Sequence, residues 1–289
     1  MRVALLLLAL VGCSPLDHFT PSSPLPEAAF LTPEEHNEVM EGRSWPYVLT
    51  LEAGDAAVLY YGSWHTSDPA DPQIQQMEAL WEEFRPTVAV TENKGGFYLG
   101  GVESAVKRLG EFGAVVELAS RSEIPVWTLE PRWEDELAYL TEVYTPAEAT
   151  LFYTLRPFLQ ERGDETDPEK IEDLARHLLR KRGARPGLEG SLTSIEEMDA
   201  LWAARFGDPR DWRTIPPDAI HPGLDGTRLQ QIAIRVNHAR DQHAVRVLLD
   251  LARRGERVFA VAGGSHVVKQ HPVLVAGLEN PSVRVVTGD

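Results

Sequence analysis

A chain of 289 residues with 43% apolar content can bury the core of one large α/β domain, or of a domain carrying a substantial insertion, without covalent staples. Its formal net charge of -16, with no basic run, argues against nucleic acid or an anionic membrane as a partner held by charge. The single cysteine excludes a disulfide within the chain and leaves none for catalysis if Cys13 is modified.

Met1-Arg2 followed by the apolar run Val3 to Leu10 reads as an export signal, too short to span a membrane as a stable helix. Leu10-Val11-Gly12-Cys13 resembles a bacterial lipobox, so residues 1–12 are expected to be a lipoprotein signal peptide and Cys13 the lipidated first mature residue. That places the protein in the bacterial cell envelope, extracytoplasmic and bound to the membrane through its lipid, at the outer membrane if the host has one. The Pro-, Ser- and acid-rich stretch after it, within residues 13–40, is expected to be a tether.

Tyr47 to Leu51 and Ala57 to Tyr61 flank the turn Ala53-Gly54-Asp55 as a hairpin. The second of these strands runs into Gly62-Ser63-Trp64-His65. Ile74, Met77, Leu80, Trp81 and Phe84 then recur at helical spacing over Asp71 to Phe84, and Thr87 to Val90 is a strand with Glu92 at its carboxyl end. Gly95 to Gly101 is expected to be a mobile glycine-rich lip; it lacks the Gly-Lys-Ser/Thr ending of a phosphate cradle. Residues 102–121 read as helix with a break near Gly113, and Pro125 to Leu129 as a strand followed by Glu130, a secondary site candidate by position alone.

From 133 to 212 the pattern is helical throughout, over Trp133 to Val143, Pro146 to Arg162, Pro168 to Arg182 and Ser194 to Phe206. This block is expected to be an all-helical insertion in an α/β fold with a mostly parallel sheet flanked by helices, the whole domain covering 45–289. A long helix over about Thr227 to Arg254 follows, and Arg240 and His243 interrupt its apolar stripe. Unpaired burial would cost each several kcal/mol, so both need partners or a cavity. Val258 to Ala262 then forms a strand running into Gly263-Gly264-Ser265-His266, with a helix over Val267 to Leu278 and a strand over Ser282 to Val286 to close.

Two G-x-x-H phrases, each directly after an apolar strand, put His65 and His266 at one edge of a parallel sheet together with Glu92, the edge where open α/β sheets place ligands. Two imidazoles and a carboxylate suit a divalent transition metal (manganese, cobalt or zinc), which lowers the pKa of bound water from 15.7 to about 7. Without a metal, the same residues allow His65 to act as a general base on an ester. Arg240 would stabilise an oxyanion or anchor a substrate carboxylate, or else pair with Glu92 or Glu130. Asp241 and His243 are secondary candidates beside it, and Trp64 is expected to line the pocket.

With Gly62-x-x-His65, Glu92 ending the next strand, Arg240-Asp241-x-His243 and Gly263-x-x-His266, the chain resembles the TraB/Tiki superfamily over roughly residues 45–289. That grouping holds Tiki-type metalloproteases, TraB/PrgY proteins, erythromycin esterases and ChaN-like haem-binding lipoproteins. The resemblance implies that His65, Glu92 and His266 are the metal or catalytic centre, with Arg240 oriented toward it, in a metal-dependent hydrolase of peptides or a small-molecule substrate. Many relatives have Arg-Asn where this chain has Arg240-Asp241, and the ChaN-like members imply the alternative of a non-enzymatic haem or ligand binder.

Overall fold

A computed structural model describes residues 16–92, 100–207, 209–224 and 226–288. The chain forms two compact units, one built from the first part up to Glu130 together with His243 onward, the other from Pro131–Gln242.

The first unit is an α/β layer structure. Strands β1 (Ser44–Ala53) and β2 (Ala56–Ser63) form the expected hairpin, with Gly54 supplying the φ of 63° that a two-residue turn of this hand needs. Helix α2 (Pro72–Phe84), capped by the Asp71 carboxylate, leads to β3 (Val88–Thr91); α3 (Gly101–Leu109) and α4 (Glu111–Arg121) lead to β4 (Val126–Thr128). After the second unit come β5 (Arg257–Gly263), α10 (Gly264–Ala276) and β6 (Ser282–Gly288). The six strands lie in the order β4-β3-β5-β2-β1-β6, and β1 alone runs against the rest. The fold is thus α/β with a mostly parallel sheet flanked by helices.

Alternation builds two cores from each central strand. Val58 and Tyr60 of β2 face a layer that includes Val247, Leu251, Val267 and Val273, while Ala57, Leu59 and Tyr61 face Ile74, Met77, Trp81 and Val115. A sheet covered on both faces explains why β2 and β5 read as continuous apolar runs.

Residues 16–40, expected as tether, make specific contacts with this unit. His18 bridges Thr128 and its Nδ1 donates to the Glu130 carbonyl (2.9 Å). Phe19 is buried edge-on against Trp127, and the Asp250 carboxylate accepts from the Ser22 amide (2.8 Å) and from the Ser23 hydroxyl. Thr32 and Glu35 form a capping box for α1 (Pro33–Met40). Apolar Phe19, Leu25, Phe30 and Leu31 give the stretch enough to bury to hold it down, despite its proline and serine content. Cys13 and the signal sequence lie outside the described residues, as do residues 93–99 of the expected lip.

The second unit is helical: α5 (Trp133–Thr141), α6 (Pro146–Arg162), α7 (Pro168–Gly183), α8 (Ile195–Arg205), two short 3₁₀ turns and the first part of α9 (Arg228–Arg253). It runs beyond the expected 133–212 because Trp212, Ile215, Leu229, Ile232 and Val236 complete its core around Leu151, Phe158 and Trp202.

Candidate active site

Strand register assembles the site. Ser63 of β2 pairs with Gly263 of β5, and the Glu92 amide, one residue past β3, donates to the Val261 carbonyl (3.1 Å). The carboxyl ends of β3, β5 and β2 therefore stand abreast, carrying Glu92, the Gly263-to-His266 turn and His65.

Gly62 and Gly264 are required by close approach. A Cβ on Gly62 would lie 2.9 Å from the Gly264 Cα, so the two turns pack backbone to backbone. A Cβ on Gly264 would overlap the Trp45 ring (1.9 Å), and one on Gly263 would sit 3.2 Å from His65 Nε2 and 3.5 Å from Glu92 Oε2. His65 and Glu92 thus both border the space that a side chain at Gly263 would enter. The turns differ locally: His65 follows β2 in a loop, whereas His266 lies in the first turn of α10.

Glu92 Oε2 accepts from the Gly263 amide (2.7 Å), where the strand turns into α10, and Oε1 lies 3.8 Å from His266 Nε2. Both side chains are mostly buried, while that of His65 is 67% exposed.

Glu111 completes the centre and is the residue that pattern-reading misses. Its Oε1 accepts from His65 Nδ1 (2.8 Å) and from the Ser63 hydroxyl (2.9 Å), its Oε2 from the Thr66 amide (3.1 Å), and its side chain is 2% exposed. A carboxylate can only accept, so Nδ1 carries the proton, which leaves Nε2, the atom nearest Gly263, as the position that can exchange one. The helix break that delivers Glu111 falls at Gly110 (φ 69°) rather than at Gly113, whose missing side chain lets α4 pack on the Ala105 carbonyl. Two stitches hold the His65 loop: the Glu111 amide donates to the Thr66 carbonyl, and the Gln73 amide side chain bonds both the N–H and the C=O of Trp64. A Gly followed by an acid at a helix start was the available signal for Glu111.

Glu130 is buried just past β4, its amide donating to Thr128 Oγ1 and its carbonyl held by His18. Arg240 and Asp241 are on α9 in the second unit, where Arg240 Nη1 donates to Asn237 (3.2 Å) and Asp241 is buried. His243 is half-buried on α9. Trp64 projects into water, 63% exposed, at the rim of a groove beside His65. His238 and His271 are half-buried against Tyr139 and Tyr47, and burial lowers both imidazoles below their usual pKa.

As ligands for an ion the donors are incomplete. Among the described residues no three His, Cys, Asp or Glu side chains are grouped to hold a metal. Glu92 spends one oxygen on the Gly263 amide, and His266 stands off its other. The groove beside Trp64 has no His or Tyr among its described lining residues to serve as a haem axial ligand. Compared with known proteins, the chain matches no family model, no curated protein and no solved structure.

Proposed function

We propose that this protein is a hydrolase of peptide or ester carbonyls in which His65 is the general base. The observation that carries this reading is the His65–Glu111 pair, a buried carboxylate on Nδ1 of an exposed imidazole whose Nε2 borders Gly263, as Glu92 does. Nε2 takes a proton from water as the water oxygen bonds to the carbonyl carbon, and the carbonyl electron pair moves to oxygen. Glu111 offsets the charge of the imidazolium, as a carboxylate behind a catalytic histidine does. His266 stands across from Glu92 as a donor to the oxyanion, and the α10 first turn adds the positive end of its dipole. Collapse of the intermediate breaks the C–N or C–O bond, and the proton on His65 passes to the leaving group. The two G-x-x-H turns of the TraB/Tiki-like resemblance support the same chemistry, as does an envelope enzyme anchored through Cys13.

The test is hydrolysis of a panel of neutral aryl esters and peptide anilides by the purified full-length mature chain. His65→Ala is expected to lower kcat/KM by about 10²- to 10⁴-fold at unchanged melting temperature. Turnover is expected to survive dialysis against a chelator. Loss on dialysis with recovery on adding manganese, cobalt or zinc would overturn the metal-free base, and equal rates for wild type and His65→Ala would overturn the hydrolase. A Soret band in the purified protein would favour the haem binder instead.

A further inference from the structure

A groove next to His65 in sequence is lined by Trp64 of the first G-x-x-H turn and by Trp45, which packs on the second. Trp64 belongs to the first turn, and the Trp45 ring lies directly on Gly264 of the second. Together with Val286 they line a surface groove of about 930 Å³, within the range of small-molecule clefts, roughly 300–1,000 Å³. Trp64 is the most exposed large apolar side chain of the described residues, yet Gln73 fixes its backbone on both sides. An indole held rigidly in water contributes little to the core and presents a flat apolar face to a ligand.

The polar groups of the groove are planar and oriented. Gln76 Oε1 accepts from the Tyr61 hydroxyl (2.7 Å), which turns its NH₂ donor away from that contact. The Asp71 carboxylate caps α2 with Oδ1 and retains acceptor capacity, and Thr287 adds a hydroxyl. Among the described lining residues Asp71 alone is charged, so anions are disfavoured. Trp45 and Pro46 sit on β1, paired on both sides, while Val286 and Thr287 belong to the edge strand β6, so an extended peptide is the competing occupant that the test below must exclude. Flat apolar faces flanked by planar donors and acceptors, without a cation, match a ligand with an apolar C–H face and a rim of hydroxyls.

We propose that this groove binds a neutral sugar ring, so that the centre acts on a glycan-bearing substrate. Its position beside a working His65 rests on the hydrolase proposed above; the binding itself does not. Calorimetric titration of the full-length mature chain with cellotetraose and chitotetraose is the test, with a neutral tetrapeptide and an acidic oligogalacturonide as comparisons. Saturable binding of at least one neutral glycan is expected, about tenfold weaker in Trp64→Ala and several-fold weaker in Gln76→Ala, with melting temperatures unchanged and no saturation by the acidic glycan. Absence of saturation by both neutral glycans, equal affinity in Trp64→Ala, or saturation by the peptide alone would overturn the proposal. Because binding is read without turnover, a chain that binds glycan and hydrolyses nothing overturns the hydrolase and leaves the groove standing, whereas one that cleaves esters and ignores both glycans does the reverse.

Discussion

Glu111 in the sheet unit and Glu148 in the helical unit are alike in two respects: each lies in the first turn of a helix, and each is 1% exposed. Glu148 is closed off by Arg228 Nε (2.6 Å) and by a capping box with Thr145, so its charge is matched by a cation that stays charged. Burial alone would raise its pKa, but the Arg228 and Thr145 hydrogen bonds outweigh this and hold it below the usual carboxylate range. Among the described residues Glu111 has no arginine or lysine as a hydrogen-bond partner; it meets a hydroxyl, an amide and an imidazole that reaches solvent. Depth of burial therefore does not separate a working carboxylate from a structural one. The partner does, because only the imidazole can exchange a proton at neutral pH.

Four experiments sharpen or break this contrast. Glu148→Ala leaves Arg228 unmatched and removes a cap, and is expected to lower the unfolding free energy by about 3 kcal/mol in urea titrations, with hydrolysis per folded molecule unchanged. A matching loss of turnover would make the two carboxylates alike. Glu111→Gln is expected to do the opposite: kcat falls about 10²-fold, or about 2.7 kcal/mol, with KM nearly constant and a smaller stability loss. A change confined to stability would demote Glu111 to a structural role.

Asp250 is a third buried carboxylate, met by Ser22, Ser23 and Arg254. Burial opposes its ionisation, yet the Ser23 and Ser22 hydrogen bonds and Arg254 prevail and lower its pKa. A depressed folded pKa means stability that is present above the unfolded value, about 3.9, and lost as pH falls through the folded one. Asp250→Asn should thus cost about 2 kcal/mol at pH 7 and progressively less in strong acid, read by urea unfolding at each pH; a pH-independent cost would contradict the clasp. The smallest effect is expected at Gly263, whose φ of -56° suits any residue. Gly263→Ala should leave melting within a degree or two while its methyl, between His65 and Glu92, raises KM about tenfold, or about 1.4 kcal/mol. Unaltered KM would place the substrate elsewhere.

Much of this was legible in the residue order. Apolar runs ending in Gly-x-x-His or in Glu92 put three groups at one sheet edge because parallel strands leave little choice, and the helices of the second unit begin where Thr145, Asp167 and Ser194 can cap them. Glu111 was not legible, since its value arises from a loop 45 residues away folding over a helix start. The contacts of Ser22 and Ser23 were hidden for the same reason: composition marks a proline- and serine-rich stretch as solvated, and their partner Asp250 lies more than two hundred residues away. Arg240 drew notice by breaking an apolar stripe, a signal that announces a partner without naming it.

The pairing of Ser63 with Gly263 joins residues that leave the ribosome two hundred positions apart. Until β5 slots in beside β2 there is no second turn, no amide for Glu92 and nothing across from His65. A one-residue slip in that pairing would point every side chain of β5 the wrong way. On the hydrolase proposed above, a copy that lacks β5 would lack the arrangement that turnover needs.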